Sequence, residues 1–263
     1  MSRVSARTAA KGKSVESRAD DRQRWDDLWN GGGRKGYRCT VISEFVKIHQ
    51  LQRKDVLEVG CGDRNLDRPG SLKGNFFGGD ISMVALRGAK SCHPKANFAQ
   101  LEATHLPFRD GAFQAVVSFG TMHHYGPDAL SAIEEMRRVS SRAVIFTVEH
   151  EESLPARLKE EKRILHKRTT IGGYKAIAPV HRDTGKPIMD DARLFFNEVN
   201  LGTYLTGLGF SRIELIVDRR DGWGSGKDPL EVREYQNIPV LAYMRAKDGE
   251  RQHMEVRAYL KDK

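Results

Sequence analysis

The residues best suited to chemistry begin at Glu58-Val59-Gly60-Cys61-Gly62-Asp63-Arg64. Glycines at alternate positions let a backbone turn tightly and approach a ligand with no Cβ in the way. A G-x-G alone is weak evidence, but here Asp80 closes the run Phe76-Phe77-Gly78-Gly79-Asp80 further along. That is the spacing, about 20 residues, at which an acidic side chain can accept hydrogen bonds from both hydroxyls of a ribose. A carboxylate facing a diol makes charge-assisted bonds, stronger than neutral ones. Asp80 can instead cap a helix starting near Ser82, although capping explains neither the glycines nor the spacing. A third grouping is His123-His124. An imidazole titrating near ~6.5 can take a proton from a hydroxyl or amine at neutral pH; the pair can equally serve to shape a pocket. His93, His105, His123 and His124 lack the spacing of metal ligands.

The elements that must position these groups alternate along the chain. Asp55–Val59 is short, apolar and bounded by turn residues, as a buried strand requires. Residues 76–80, 98–103, 115–120 and 143–149 are further strand candidates. Leu130, Ile133, Met136 and Val139 track one helix face between the last two. A helix near 201–210 and strands at 212–218 and 239–246 follow. Ahead of the first strand, Trp25, Leu28 and Trp29 fall on one helical face, Gly31-Gly32-Gly33 breaks that helix, and Val41, Phe45 and Ile48 mark a second. Strands separated by crossovers imply a parallel sheet with helices on both faces. Residues 150–198 interrupt the alternation with a helix carrying Leu154, Leu158 and Leu165, then a Gly- and Pro-rich stretch. So long an insertion inside a compact domain is usually a lid or binding loop, or else disordered. Its place after the fifth strand puts it over the carboxyl ends of the strands, where open α/β sheets bind ligands.

Composition bounds the partners. The 263 residues carry a net charge of +9 and are 39% hydrophobic, which suits one soluble α/β domain with a lid, or one domain plus a small appendage. Residues 1–20 read as a flexible basic tail and 21–263 as a single domain with its insertion at about 150–198. No apolar run reaches the ~18 residues a membrane span needs, and the N-terminus lacks a secretory signal. Three scattered cysteines, Cys39, Cys61 and Cys92, suggest neither a disulfide framework nor a zinc site, so a reducing cytoplasm is expected. The charge makes nucleic acid a possible partner, through the tail and through residues 158–168, although charge runs are also ordinary solvated surface. Gly222–Lys227 lacks the spacing of a phosphate loop.

The runs DVLEVGCG, GGDIS and EATHLPFRDGAFQAVVSFGTMHHY, in that order, resemble the class I, Rossmann-like, S-adenosylmethionine-dependent methyltransferases. The likeness covers roughly 50–150 well and the C-terminal part more loosely. It implies an α/β fold: a seven-stranded, mainly parallel sheet with an antiparallel last strand, N-terminal helices, and a lid after the fifth strand. It implies S-adenosylmethionine as cofactor, with Glu58, Gly60, Cys61 and Gly62 lining its methionine and ribose part. Asp80 would hold the ribose hydroxyls, Ile81 would pack on adenine, Glu102 and Ala103 would meet its amino edge, and Phe119 would flank the sulfonium. His123 and His124 would stand at the acceptor edge as candidate catalytic bases. Arg64 replaces the family's third glycine, and Pro69-Gly70 interrupts the expected first helix; Arg64 either turns toward the cofactor carboxylate or is a tolerated intrusion. Arg34 can pair with that carboxylate or lie on the surface. Gln114 stands where the family commonly has an acidic residue, a change of little functional consequence, and Ser140-Ser141-Arg142 replaces the family's Pro-Gly-Gly turn before the fifth strand. A small-molecule acceptor, methylated at oxygen or nitrogen, is the leading expectation. Methylation of tRNA or other RNA is the alternative, and a module that has lost catalysis is a third.

Overall fold

Val56–Val59 (β1) is buried at every position, the condition of a strand covered on both sides. Around it the computed structural model describes residues 15–31, 55–63, 75–151, 166–181, 183–188, 192–210, 212–218, 230–235, 238–243 and 253–259. The tail before residue 15, Arg34, the helix with Val41, Phe45 and Ile48, Arg64, Pro69-Gly70, the helix with Leu154, Leu158 and Leu165, and Gly222–Lys227 lie outside the described residues.

Five strands run parallel. Phe76–Asp80 (β2) pairs with β1, Asn97–Gln100 (β3) with β2, Phe113–Ser118 (β4) with the other side of β1, and Ser140–Glu149 (β5) with β4. The order is thus β3-β2-β1-β4-β5. The chain steps outward through β2 and β3, then returns to the opposite side of β1. Such a reversal leaves a crevice beyond the carboxyl ends of the two strands that flank it, here β1 and β4.

Helix Met83–Cys92 (α2) follows β2, and Ala129–Val139 (α3) joins β4 to β5. On α3, Ala132, Ile133, Met136 and Val139 are fully buried, the stripe that 3.6-residue periodicity requires. They share one core cluster with Leu57, Val116, Val144, Phe146 and Val148 of the sheet and with Leu201 and Leu205 of Glu198–Gly207 (α4). A reciprocal cap, Asn197 with Asn200, starts α4. N-terminal to the sheet, Val15–Asn30 (α1) ends at the glycines as expected. Trp25 and Trp29 are half-buried, but Leu28 is 47% exposed and takes no part in the buried face.

The main sheet holds nine strands among the described residues, against the seven expected. Arg212–Asp218 (β9), Leu230–Tyr235 (β10), Ile238–Tyr243 (β11) and His253–Tyr259 (β12) extend it beyond β5. β12 lies between β5 and β9, antiparallel to both. β10 forms a hairpin with β11, which pairs parallel to β9. β12 alternates polar and apolar residues, and β10 does so up to Arg233, a period-2 pattern whose polar half disguises a strand.

From residue 166 onward the insertion is built differently from the expected Gly- and Pro-rich loop. His166–Ile171 (β6) and Tyr174–Pro179 (β7) form a hairpin about Gly172-Gly173, and Arg193–Phe195 (β8) adds to β7. Tyr174, Ala176, Leu194 and Phe196 belong to the main core cluster, so this small antiparallel sheet is welded to the domain. Among the described residues no helix is long and apolar enough to cross a membrane.

Candidate active site

β1 delivers Glu58 and then turns. Gly60 and Gly62 have φ of 74° and 56°, a left-handed region that side chains with a Cβ rarely enter. The Gly60 and Cys61 amides donate to the Gly79 carbonyl at 2.7 and 3.0 Å, fastening the turn to β2. A Cβ on Gly60 would lie 2.3 Å from Thr121 Cγ2, so the turn after β1 and the turn after β4 touch directly.

Glu58 is fully buried, and among the described residues neither carboxylate oxygen has a hydrogen-bond partner. Burial, with the charge of Asp80 second, holds its carboxyl well above the ordinary carboxylate range. Asp80 is better satisfied: Oδ2 accepts from the Gly62 amide at 2.8 Å and Oδ1 from the Ser82 amide at 2.9 Å. Burial nonetheless raises its pKa, opposed by those same amides. Asp80 therefore braces the glycine turn, while Ser82 is the N-cap of α2. Its carboxylate keeps lone pairs for further donors. The Cys61 thiol is pushed up by burial first, then by Glu58 and Asp80, which makes it inert.

Ile81 is half-buried beside this turn. After β3, Ala103 is buried and Glu102 half-buried, in a loop pinned from α3. Arg138 donates to the Leu106 and Phe108 carbonyls at 2.9 and 2.7 Å and to both carboxylate oxygens of Glu135 at 2.7 and 2.8 Å. Glu135 also accepts the Leu106 amide at 2.8 Å. The Arg138 hydrogen bond lowers the Glu135 pKa.

Phe119 is buried just past β4, and the Gly120 amide donates to Thr147 Oγ1 of β5 at 2.8 Å. His123 and His124 sit on a short helical turn, their rings 3.8 Å apart, with Trp25 of α1 edge-on to His124 at 4.9 Å. The structure therefore gathers Glu58, the glycine turn, Asp80 and Phe119 at one switch point, with the histidines at its β4 edge. Among the described residues no three His, Cys, Asp or Glu are grouped as a metal site.

Other groups here are invisible to sequence spacing. Asp26 of α1 accepts from the Ser82 hydroxyl and, at 3.1 Å, from the Val84 amide. The Tyr125 hydroxyl, beside Ser118, is pushed up by burial first and by Asp80 second. Buried Glu149 ends β5 and buried His150 follows it, with His150 Nε2 3.2 Å from Glu198 Oε2. A run of apolar strand residues ending in Thr147-Val148-Glu149-His150 was the available signal for this last group.

A family model described as "Methyltransferase domain" matches residues 57–147. The human eEF1A lysine and N-terminal methyltransferase is 27% identical over 112 residues, 37% of this chain and 16% of that protein. The demethylmenaquinone methyltransferase of Paenarthrobacter aurescens (strain TC1) is 32% identical over 130 residues, 48% of this chain and 49% of that one. This chain thus spans about half of the bacterial relative and a far smaller share of the human one. The crystal structure of magnesium protoporphyrin IX methyltransferase from Synechocystis PCC 6803 with bound SAH is 14% identical, with a TM-score of 0.54 over 95% of this chain and 100% of that one. A likeness of that degree establishes the fold. That fold agrees with the methyltransferase-domain match over residues 57–147, so this segment resembles the class I, S-adenosylmethionine-dependent methyltransferases.

Proposed function

We propose that this protein binds S-adenosylmethionine at the β1–β4 switch point and transfers its methyl group to an oxygen or nitrogen of a small-molecule acceptor. The observation that carries the reading is Glu58, a sealed carboxylate with two oxygens awaiting donors beside a glycine turn. Unsatisfied buried acceptors are costly, and the ammonium and hydroxyls of such a cofactor are the donors that would satisfy them. When bound, the cofactor supplies an electrophilic methyl group on a sulfonium. The rest is alignment and exclusion of water. Gly60 and Gly62 admit the ligand to the backbone, Asp80 takes the ribose hydroxyls, Ile81, Glu102 and Ala103 border adenine, and Phe119 walls the sulfonium. Trp25 packs on His124 and His124 on His123; we assign His123 the acceptor's proton, with His124 holding its ring. The small sheet of the insertion covers the acceptor side.

The relatives differ in acceptor, a protein's lysine and N-terminus in one name and demethylmenaquinone in the other, so the acceptor must be found by experiment. A second reading, RNA methylation, draws on Lys167, Arg168 and Lys175, exposed on neighbouring strands of the small sheet. The test is calorimetry with S-adenosylmethionine and its demethylated product, then a labelled-methyl screen of metabolites against tRNA. Wild-type protein should bind both compounds, and Asp80→Ala should weaken binding by about 1.5–3 kcal/mol, the range for hydrogen bonds to charged groups. No binding at millimolar ligand would leave a module without catalysis.

A further inference from the structure

Helix α1 has little apolar reason to stay where it is. Among its described side chains from 20 to 30 none is fully buried, and Leu28 points to solvent. Its attachment is specific and polar. Asp26 accepts from the Ser82 hydroxyl and from the Val84 amide, one of the first N–H groups of α2 that lack a partner within their own helix. The first turn of α2 contains no acidic residue, so Asp26 brings from another helix the negative charge favoured at that end. Ser82 is the hinge of the arrangement. Its hydroxyl also accepts from the Ala85 amide, and its own amide donates to Asp80, whose other oxygen holds Gly62. A continuous hydrogen-bonded chain therefore runs from α1 through the turn after β2 to the glycine turn after β1.

The neighbouring residue, Trp25, meets His124 beyond β4. Because β1 lies between β2 and β4, a helix touching the turns after both of those strands crosses the end of β1. We infer that Asp26 is a positioning residue for the cofactor: by holding the Asp80–Ile81–Ser82 turn it couples docking of α1 across the crevice to cofactor binding. The inference rests on the cofactor reading above. Coupling is reciprocal: bound cofactor holds α1 down, and a docked α1 retains the cofactor.

The experiment compares wild type, Asp26→Ala, Asp26→Asn and, as a control on the same helix, Asp27→Ala. All are made in a Trp29→Phe, Trp223→Phe background so that Trp25 alone of the three tryptophans remains. Calorimetry with the demethylated cofactor gives Kd, and Trp25 emission reports docking with and without it. Asp26→Ala should raise Kd about tenfold and raise KM for S-adenosylmethionine more than it changes kcat. Its Trp25 emission should shift to the red without ligand and return when ligand saturates. Asp26→Asn should fall between, since an amide oxygen accepts both bonds but carries no charge; Asp27→Ala should match wild type. A red-shifted Asp26→Ala with wild-type Kd would overturn the coupling, as would wild-type emission and Kd together. If wild type binds no cofactor compound, the site reading fails and the coupling with it; the emission without ligand still tells whether Asp26 holds α1.

Discussion

On the proposed reading, Glu58 faces opposite demands in the free and the liganded protein. Its folded pKa is raised, so between the ordinary carboxylate range and that raised value the native state holds a proton that the unfolded chain has lost. Its contribution to stability is therefore greatest below about pH 4.3 and declines as pH rises through the folded pKa. Glu58→Gln, which cannot ionise, should stabilise the ligand-free protein by about 1–3 kcal/mol at pH 8, an advantage that disappears near pH 4. Thermal melts across that range check the sign, and wild-type melting that is flat with pH would refute it. The same variant should bind the cofactor more weakly, a trade of stability against function that is common at active sites. At this scale the sequence exposed the glycine turn and Asp80, because both belong to local patterns. It did not expose Asp26, Tyr125, Arg138 or His150, whose partners lie far away in the chain and meet them only after folding.

Among the elements, α3 does more than cover the sheet. Its last turn reaches over the loop after β3, and Arg138 fastens Leu106 and Phe108 while Glu135 takes the Leu106 amide. Arg138→Ala should cost about 1–3 kcal/mol in urea melts and speed hydrogen exchange at 102–110 more than in the strands. Exchange that rises evenly throughout would mean that the clasp has no special hold on the loop. The Glu135 pKa is depressed by Arg138, so its share is present above the ordinary carboxylate range and is lost as pH falls through the depressed value. Arg138→Ala should thus make the protein less sensitive to acid. The buried stripe of α3 was legible from its period, and β2 and β9 from their apolar runs. The hairpin β6–β7 was not, although two alternating runs separated by Gly172-Gly173 are a hairpin signal; the nearby Gly and Pro residues suggested a loop. α4 begins earlier than its apolar residues indicated, since its cap pairs Asn with Asn and lacks the usual acidic partner.

For the molecule as a whole, the net charge of +9 separates the two acceptor readings. Contacts to RNA phosphates release counterions, so affinity falls steeply with salt and each lost contact flattens that slope. Removing residues 1–14 and changing Lys167 and Arg168 to Glu should leave turnover of a small acceptor nearly unchanged. Tight, salt-sensitive tRNA binding abolished by those changes would put RNA methylation first. The parallel half of the sheet followed from the alternation of strands and crossovers. Beyond β5, β9 and β11 were expected as strands, but β10 and β12 were not: β12 comes late in the sequence yet lies beside β5, and nothing local announces so distant a pairing. The small sheet shows a further economy of design. The Glu151 amide donates to the Phe196 carbonyl at 2.8 Å and the Phe196 amide to the Glu149 carbonyl at 2.9 Å, so the chain leaves the domain and re-enters it at one stitch. A replacement between those two points need not lengthen or re-route the strands on either side, provided it keeps the apolar contacts that Tyr174, Ala176 and Leu194 make with the main core. On the proposed reading that this sheet covers the acceptor side, a graft made at Glu151 and Phe196 should change acceptor preference and leave cofactor affinity as it was.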